Sequence, residues 1–165
     1  MVSGTYRPRT FRLDMSDGSV CSVYALASHS LTDAIAHGSL TPSGALQALL
    51  DVLEGLAAMH AAGFVHRDLK HRNVLFVPAA GRWTLGDLDA SGRVGEEVWE
   101  LMGYDWGVWV PTIQIGPWPS AVPSPEHARH LEMLWSSTSP PPLLASTAHD
   151  IFQFGVLAFE VVCRS

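Results

Sequence analysis

At 165 residues, 47% hydrophobic and 16% charged, the chain is long enough and apolar enough for one folded domain with its own core. A formal charge of −6 supplies no basic field for a phosphate backbone or an anionic membrane surface, which argues against nucleic acid as a partner. Cys21 and Cys163 lie far apart, so neither a disulfide framework nor a zinc site is indicated, and a reducing, cytoplasmic or otherwise intracellular setting is expected.

The opening "MVSGTYRPRTFRLD" carries early charges without the apolar centre of a signal peptide, and no apolar run approaches the roughly 18 residues of a membrane span. A soluble protein without a membrane segment is expected. "TFRLDMSDGSVCSVYALA" predicts two short strands around the turn signal Asp17-Gly18, with Val20, Val23 and Tyr24 as strand formers. "SLTDAIAHG" predicts a short helix that starts at the cap residue Ser30 and stops at Gly38. In "TPSGALQALLDVLEGLAAMHAAG", Thr41 and Pro42 open a long helix. Leu46, Leu49, Leu50, Leu53, Leu56 and Met59 recur along it at helical spacing.

After Gly63 the pattern changes. "VLFV" and "RWTLGDL" flank "PAAG" as two strands flank a turn. Residues 91 to 148 are rich in Pro and Ser and predict a long surface loop with one helical turn near "EHARHLEML". Trp99, Trp106, Trp109 and Trp118 lie in that loop beside acidic residues. Packing of the loop or contact with a partner explains them better than a stacking platform for a ligand. The end, "HDIFQFGVLAFEVVC", is apolar nearly all round and predicts a buried core helix.

Chemistry concentrates in "FVHRDLKHRNVLFV", which mounts polar side chains between a helix and a strand. Asp68 could take a proton from a hydroxyl, Lys70 could neutralise an anion, and Asn73 could offer an amide oxygen to a hard cation. Asp87 follows after a strand, a turn and a strand, which would return it beside the same loop. His66 reads as a core residue below the loop. A solvated loop of mixed charge and an ordinary turn acid are the alternatives for these residues.

"HRDLKHRN" resembles the catalytic loop of protein kinases, H-R-D-L-x-x-x-N. The resemblance implies that Asp68 is the catalytic base, that Lys70 contacts the transferred phosphate and that Asn73 holds one magnesium ion. It also implies that Arg67 steadies the activation segment. Lys70, two places after Asp68, resembles the serine/threonine branch. "GDLDAS" resembles the segment with the family's magnesium-binding D-F-G, implying that Asp87 is a metal ligand. "SPE", Ser124 to Glu126, resembles the A-P-E that closes the activation segment, and "DIFQFG" resembles the D-x-W-x-x-G of the core helix with Phe152 in place of tryptophan. "VYALASHSLTDAI" resembles the hinge, so the backbone of Tyr24 to Leu26 would face adenine, with Leu75 as the pocket floor.

By this resemblance the fold class is α+β. Residues 1–165 form a partial kinase domain, mostly the helical C-lobe with a remnant of the N-lobe sheet. The implied cofactors are ATP and Mg2+, and the implied partner is a protein substrate. The family's glycine-rich loop, strand lysine and helix glutamate have no counterpart here, nor do the late C-lobe helices, which implies half a cleft around the nucleotide. Asp89 stands where the family has glycine, and the spacings from Asp87 to Glu126 and on to Asp150 exceed those of the family. Ser91, Thr112, Ser120 and Ser124 lie where phosphorylation could act. A noncatalytic, pseudokinase-like binding module is the second reading. A small-molecule kinase is the third.

Overall fold

The structure is a computed structural model that describes residues 11–14, 20–97, 124–136 and 142–164. Strands β1 (Phe11–Asp14) and β2 (Val20–Val23) pair antiparallel, with Asp14 opposite Val20. The expected hairpin is therefore present, although Tyr24 falls just beyond it. The Asp17-Gly18 turn lies outside the described residues.

Strand β3 (His29–Ser30) leads directly into helix α1 (Leu31–Ala36). Ser30 caps the helix as expected: its hydroxyl accepts from the Asp33 N–H at 3.2 Å, and the Asp33 carboxylate accepts from the Ser30 N–H at 2.8 Å. Helix α2 (Pro42–Ala61) begins with Thr41, whose hydroxyl accepts from the Gly44 N–H at 3.1 Å, and with Pro42 at its first position. Gly63, at φ 80°, lies just beyond its end, in a left-handed conformation that suits glycine.

The buried face of α2 is narrower than the leucine spacing suggests. Ala45, Ala48, Leu49, Val52 and Leu56 point inward, whereas Leu46, Leu50 and Leu53 are 60%, 47% and 38% exposed. The helix packs on β4, β6 and α4, and small alanines on that side let it approach closely.

Strands β5 (Val74–Val77) and β6 (Arg82–Leu85) form the expected second hairpin, with Gly81 at φ 63° in the turn. Strand β3 joins the other side of β5, so the three-stranded sheet runs β3-β5-β6. Asp51 of α2 ties this sheet to the helix. Its buried carboxylate accepts from the backbone N–H of Trp83 at 2.9 Å and from Gln47 at 3.0 Å. Strand β4 (Phe64–Val65) pairs with β7 (Gly92–Arg93), a short ladder that the sequence pattern does not announce.

Two expectations for the later chain change. Helix α3 (Pro125–Ser136) is a full three-turn helix where one turn was expected, opened by Pro125 after the buried Ser124. Helix α4 (Thr147–Arg164) buries Asp150, Gln153, Leu157 and Val161 but leaves Ile151, Phe159 and Val162 exposed. It is thus one-sided rather than buried all round, because its described packing partners include α2 and β4, which meet the face that carries Asp150 and Leu157. The start of the loop pairs with the segment just before α4: Gly95 N–H donates to Ala145 O and Ala145 N–H donates to Glu96 O, both at 2.8 Å. The four tryptophans of the long loop, with Thr112 and Ser120, lie outside the described residues.

Candidate active site

Between β4 and β5 the chain turns through His66–Lys70 and a single 3-10 turn, His71–Asn73. Helix α4 holds this turn from behind. The Asp150 carboxylate accepts from the backbone N–H groups of His66 and Arg67, both at 2.8 Å, and from His60 Nε2 at 2.7 Å. Gln153 accepts from the Leu69 N–H at 2.9 Å. Arg67 adopts φ 69°, a left-handed conformation that is uncommon for a residue with a side chain and is over-determined here by these bonds.

On the open side, Asp68 and its neighbours converge. Asp68 Oδ2 accepts from Lys70 Nζ at 2.6 Å and from Asn73 Nδ2 at 3.0 Å, and the Asp68 side chain remains 15% exposed. Among the described residues Asp68 Oδ1 meets no hydrogen-bond donor, so it is the oxygen available to take a proton. The Asn73 amide also donates to the Asp68 carbonyl at 2.8 Å. With its nitrogen committed twice, that amide presents its oxygen as the group left for a ligand.

Asp87 returns to the same place by register. Val74 pairs with Leu85, and one step further the Gly86 N–H donates to the Asn73 carbonyl at 2.8 Å. The approach is close here: a Cβ at Gly86 would lie 2.7 Å from Leu75 Cδ1, so a side chain there would displace that of Leu75. Asp87 itself has φ 57° and an exposed carboxylate that accepts no hydrogen bond among the described residues. Asn73 and Asp87 thus each offer an uncommitted oxygen, the donor type that a magnesium ion takes. Among the described residues no three His, Cys, Asp or Glu side chains form a metal cage.

Beneath the site His66 is fully buried, as its core reading requires. Its Nε2 faces the Gly86 carbonyl at 3.2 Å and its Nδ1 faces the Asp68 N–H at 3.3 Å, the pattern of a neutral ring. Burial pushes its pKa below the ordinary histidine value, against the opposing pull of Asp150 and the weaker pulls of Asp68 and Asp87. Arg67 reaches forward, and its Nε donates to the Ala90 carbonyl. The guanidinium therefore does contact the segment that follows Asp87.

The proposed adenine side is less gathered. Ser28 N–H donates to Phe76 O at 2.9 Å and Ser30 pairs with Leu75, so the segment from Tyr24 leads into β3, which lies beside the strand that carries Leu75. The side chains of Tyr24 and Leu26 are themselves exposed. Sequence reasoning missed His60, His149 and Gln153. Only Gln153 had a usable signal, a polar residue one turn after Asp150 on an otherwise apolar helix.

A family model described as protein kinase domain matches residues 14–106, more than half of the chain and including the whole loop and Asp87. The chain belongs to the protein kinase domain family. It is 27% identical over 166 residues to serine/threonine-protein kinase pkn2 of Myxococcus xanthus, covering 98% of this chain and 18% of that protein. It is 58% identical over 36 residues to serine/threonine-protein kinase PkaB of Streptomyces coelicolor, covering 22% of this chain and 9% of that protein. Against serine/threonine-protein kinase PAK 4 of Mus musculus the identity is 35% over 68 residues, covering 41% and 11%. The chain thus spans less than a fifth of the length of these relatives.

A solved structure of the yeast RNA Pol II CTD kinase CTDK-1 complex superposes with a TM-score of 0.60 at 16% identity, covering 99% of this chain and 47% of that one. The likeness establishes the fold: a protein-kinase-like α+β architecture. No helix among the described residues is long and apolar enough to cross a membrane.

Proposed function

We propose that this kinase domain transfers the γ-phosphoryl group of ATP to serine or threonine hydroxyls of a protein substrate, in an intracellular setting. The observation that carries the reading is the Asp68 carboxylate, oriented through Oδ2 by Lys70 and Asn73 with Oδ1 left open. In this reading Asp68 Oδ1 accepts the proton of the substrate hydroxyl as the oxygen attacks phosphorus. Lys70, already beside that carboxylate, lends positive charge to the oxygens of the group in flight. Asn73 and Asp87 would hold magnesium, which when bound neutralises phosphate charge. The backbone of Tyr24 to Leu26 and the side chain of Leu75 would line the adenine side. Arg67, bonded to Ala90, would keep the start of the activation segment in place.

The test is peptide phosphorylation by the full-length natural protein and its Asp68→Asn variant. Loss of transfer with an unchanged unfolding midpoint is the expected result. An unchanged rate overturns the role given to Asp68, and phosphate on small hydroxylated metabolites alone overturns the substrate class.

A second reading, a noncatalytic binding module, draws on Asp89, whose exposed charge lies two residues from Asp87 and would repel a metal-bound phosphate. It requires that magnesium ATP give no incorporation into any substrate.

A further inference from the structure

Both peptide units that meet at Asp68 have their polar groups bonded to side chains. In the first unit the Arg67 carbonyl accepts from His149 Nε2 at 3.1 Å and from Gln153 Nε2 at 3.3 Å, while the Asp68 N–H donates to His66 Nδ1 at 3.3 Å. In the second unit the Asp68 carbonyl accepts from Asn73 Nδ2 at 2.8 Å, while the Leu69 N–H donates to Gln153 Oε1 at 2.9 Å. Gln153 alone takes part in both. It is buried in α4, three residues after Asp150, and its amide carries a donor and an acceptor on one rigid plane.

We propose that Gln153 is a positioning residue for the phosphoryl-transfer reaction, clamping the peptide units on either side of Asp68 so that its carboxylate leaves the loop in one direction. The proposal rests on Asp68 being the base. Its physical basis is that each peptide unit is planar, so fixing the two planes that meet at an α-carbon fixes φ and ψ, and with them the Cα–Cβ direction. Lys70 and Asn73 can then orient the carboxylate only if the Cβ is already placed. The clamp also opposes relaxation of Arg67, whose left-handed φ of 69° sits immediately upstream. Asp150 does not substitute for it, because Asp150 holds the N–H groups of His66 and Arg67, before Asp68, whereas the Leu69 N–H goes to Gln153.

The test uses the full-length natural protein with two variants. Gln153→Met keeps the length of the side chain and removes both bonds; Gln153→Glu keeps an acceptor for the Leu69 N–H and sets an oxygen against the Arg67 carbonyl. Measured are kcat and KM for ATP in peptide phosphorylation, together with hydrogen exchange at the Leu69 amide. The expected result for Gln153→Met is a kcat lower by about ten- to a hundredfold, the size that small misplacements of catalytic groups reach. KM for ATP should stay within about twofold, and Leu69 exchange should quicken. Gln153→Glu should keep Leu69 protected and still lose kcat. Unchanged kcat in Gln153→Met, or a loss of kcat that tracks only the folded fraction in both variants, overturns the proposal. Failure of the kinase reading itself is separable: the unmutated protein then shows no Asp68-dependent transfer, whatever Leu69 does.

Discussion

The carboxylate of Asp150 accepts the backbone N–H of Arg67 at 2.8 Å across 83 residues of chain. The same side chain takes the N–H of His66 and the Nε2 of His60, so one buried residue of α4 joins the end of α2 to the loop that carries Asp68. Asp150→Ala leaves two backbone donors without their acceptor, each worth about 1–3 kcal/mol when buried. A loss of about 3 kcal/mol in urea unfolding is expected, and a midpoint unchanged from the unsubstituted chain would refute this account.

Stability should fall on acidification. His66 and His149 are both buried, and burial pushes the pKa of each below the ordinary value of about 6.5. Below that value the unfolded chain takes up protons that these two rings in the folded chain resist. Unfolding therefore binds protons, and the stability present at neutral pH is lost as pH falls from about 6.5 toward the lowered folded values. Urea midpoints measured from pH 7.5 down to 5 should decline through this window. A midpoint flat over the same range counts against both rings being neutral and buried.

Gly92 should not tolerate a side chain. A Cβ there would lie 3.1 Å from Arg67 Cζ and 3.1 Å from Glu96 Oε2, and Arg67 is not free to retreat because its Nε is bonded to Ala90. Gly92→Ala should cost about 1–3 kcal/mol by overpacking. With Arg67 already shortened to alanine the same change should cost less, the Glu96 contact being the one that remains, so a double-mutant cycle should return a coupling of at least about 0.5 kcal/mol. Additive effects would mean that the strain arises elsewhere.

Two leucines of α2 should separate its faces. Leu56 is 1% exposed and Leu50 is 47% exposed. Leu56→Ala should lower stability by about 2–5 kcal/mol through lost burial and the cavity left behind. Leu50→Ala should change it by about 0.5 kcal/mol or less, the usual size for a surface site. Equal losses would show that the leucine stripe is covered in the folded protein in solution.

Elements whose causes are local were legible in the residues alone. Thr41 and Pro42 open α2, Ser30 caps α1, and Gly81 turns β5 into β6, because caps and turns depend on residues a few positions apart. That the candidate residues gather was legible for the same reason: Asp68, Lys70 and Asn73 lie within one short loop, and a tight hairpin can return Asp87 to it. The relationships that span the chain come from packing. The side of α2 that turns inward depends on where β6 and α4 pack, which leucine spacing does not encode. Nor does the apolar run in α4 announce that Gln153 and His149 face the loop. Those two side chains find their acceptors and donors more than eighty residues away. Backbone groups around Asp68 that no helix or sheet could satisfy had to find side-chain partners, and packing alone determined which ones came within reach.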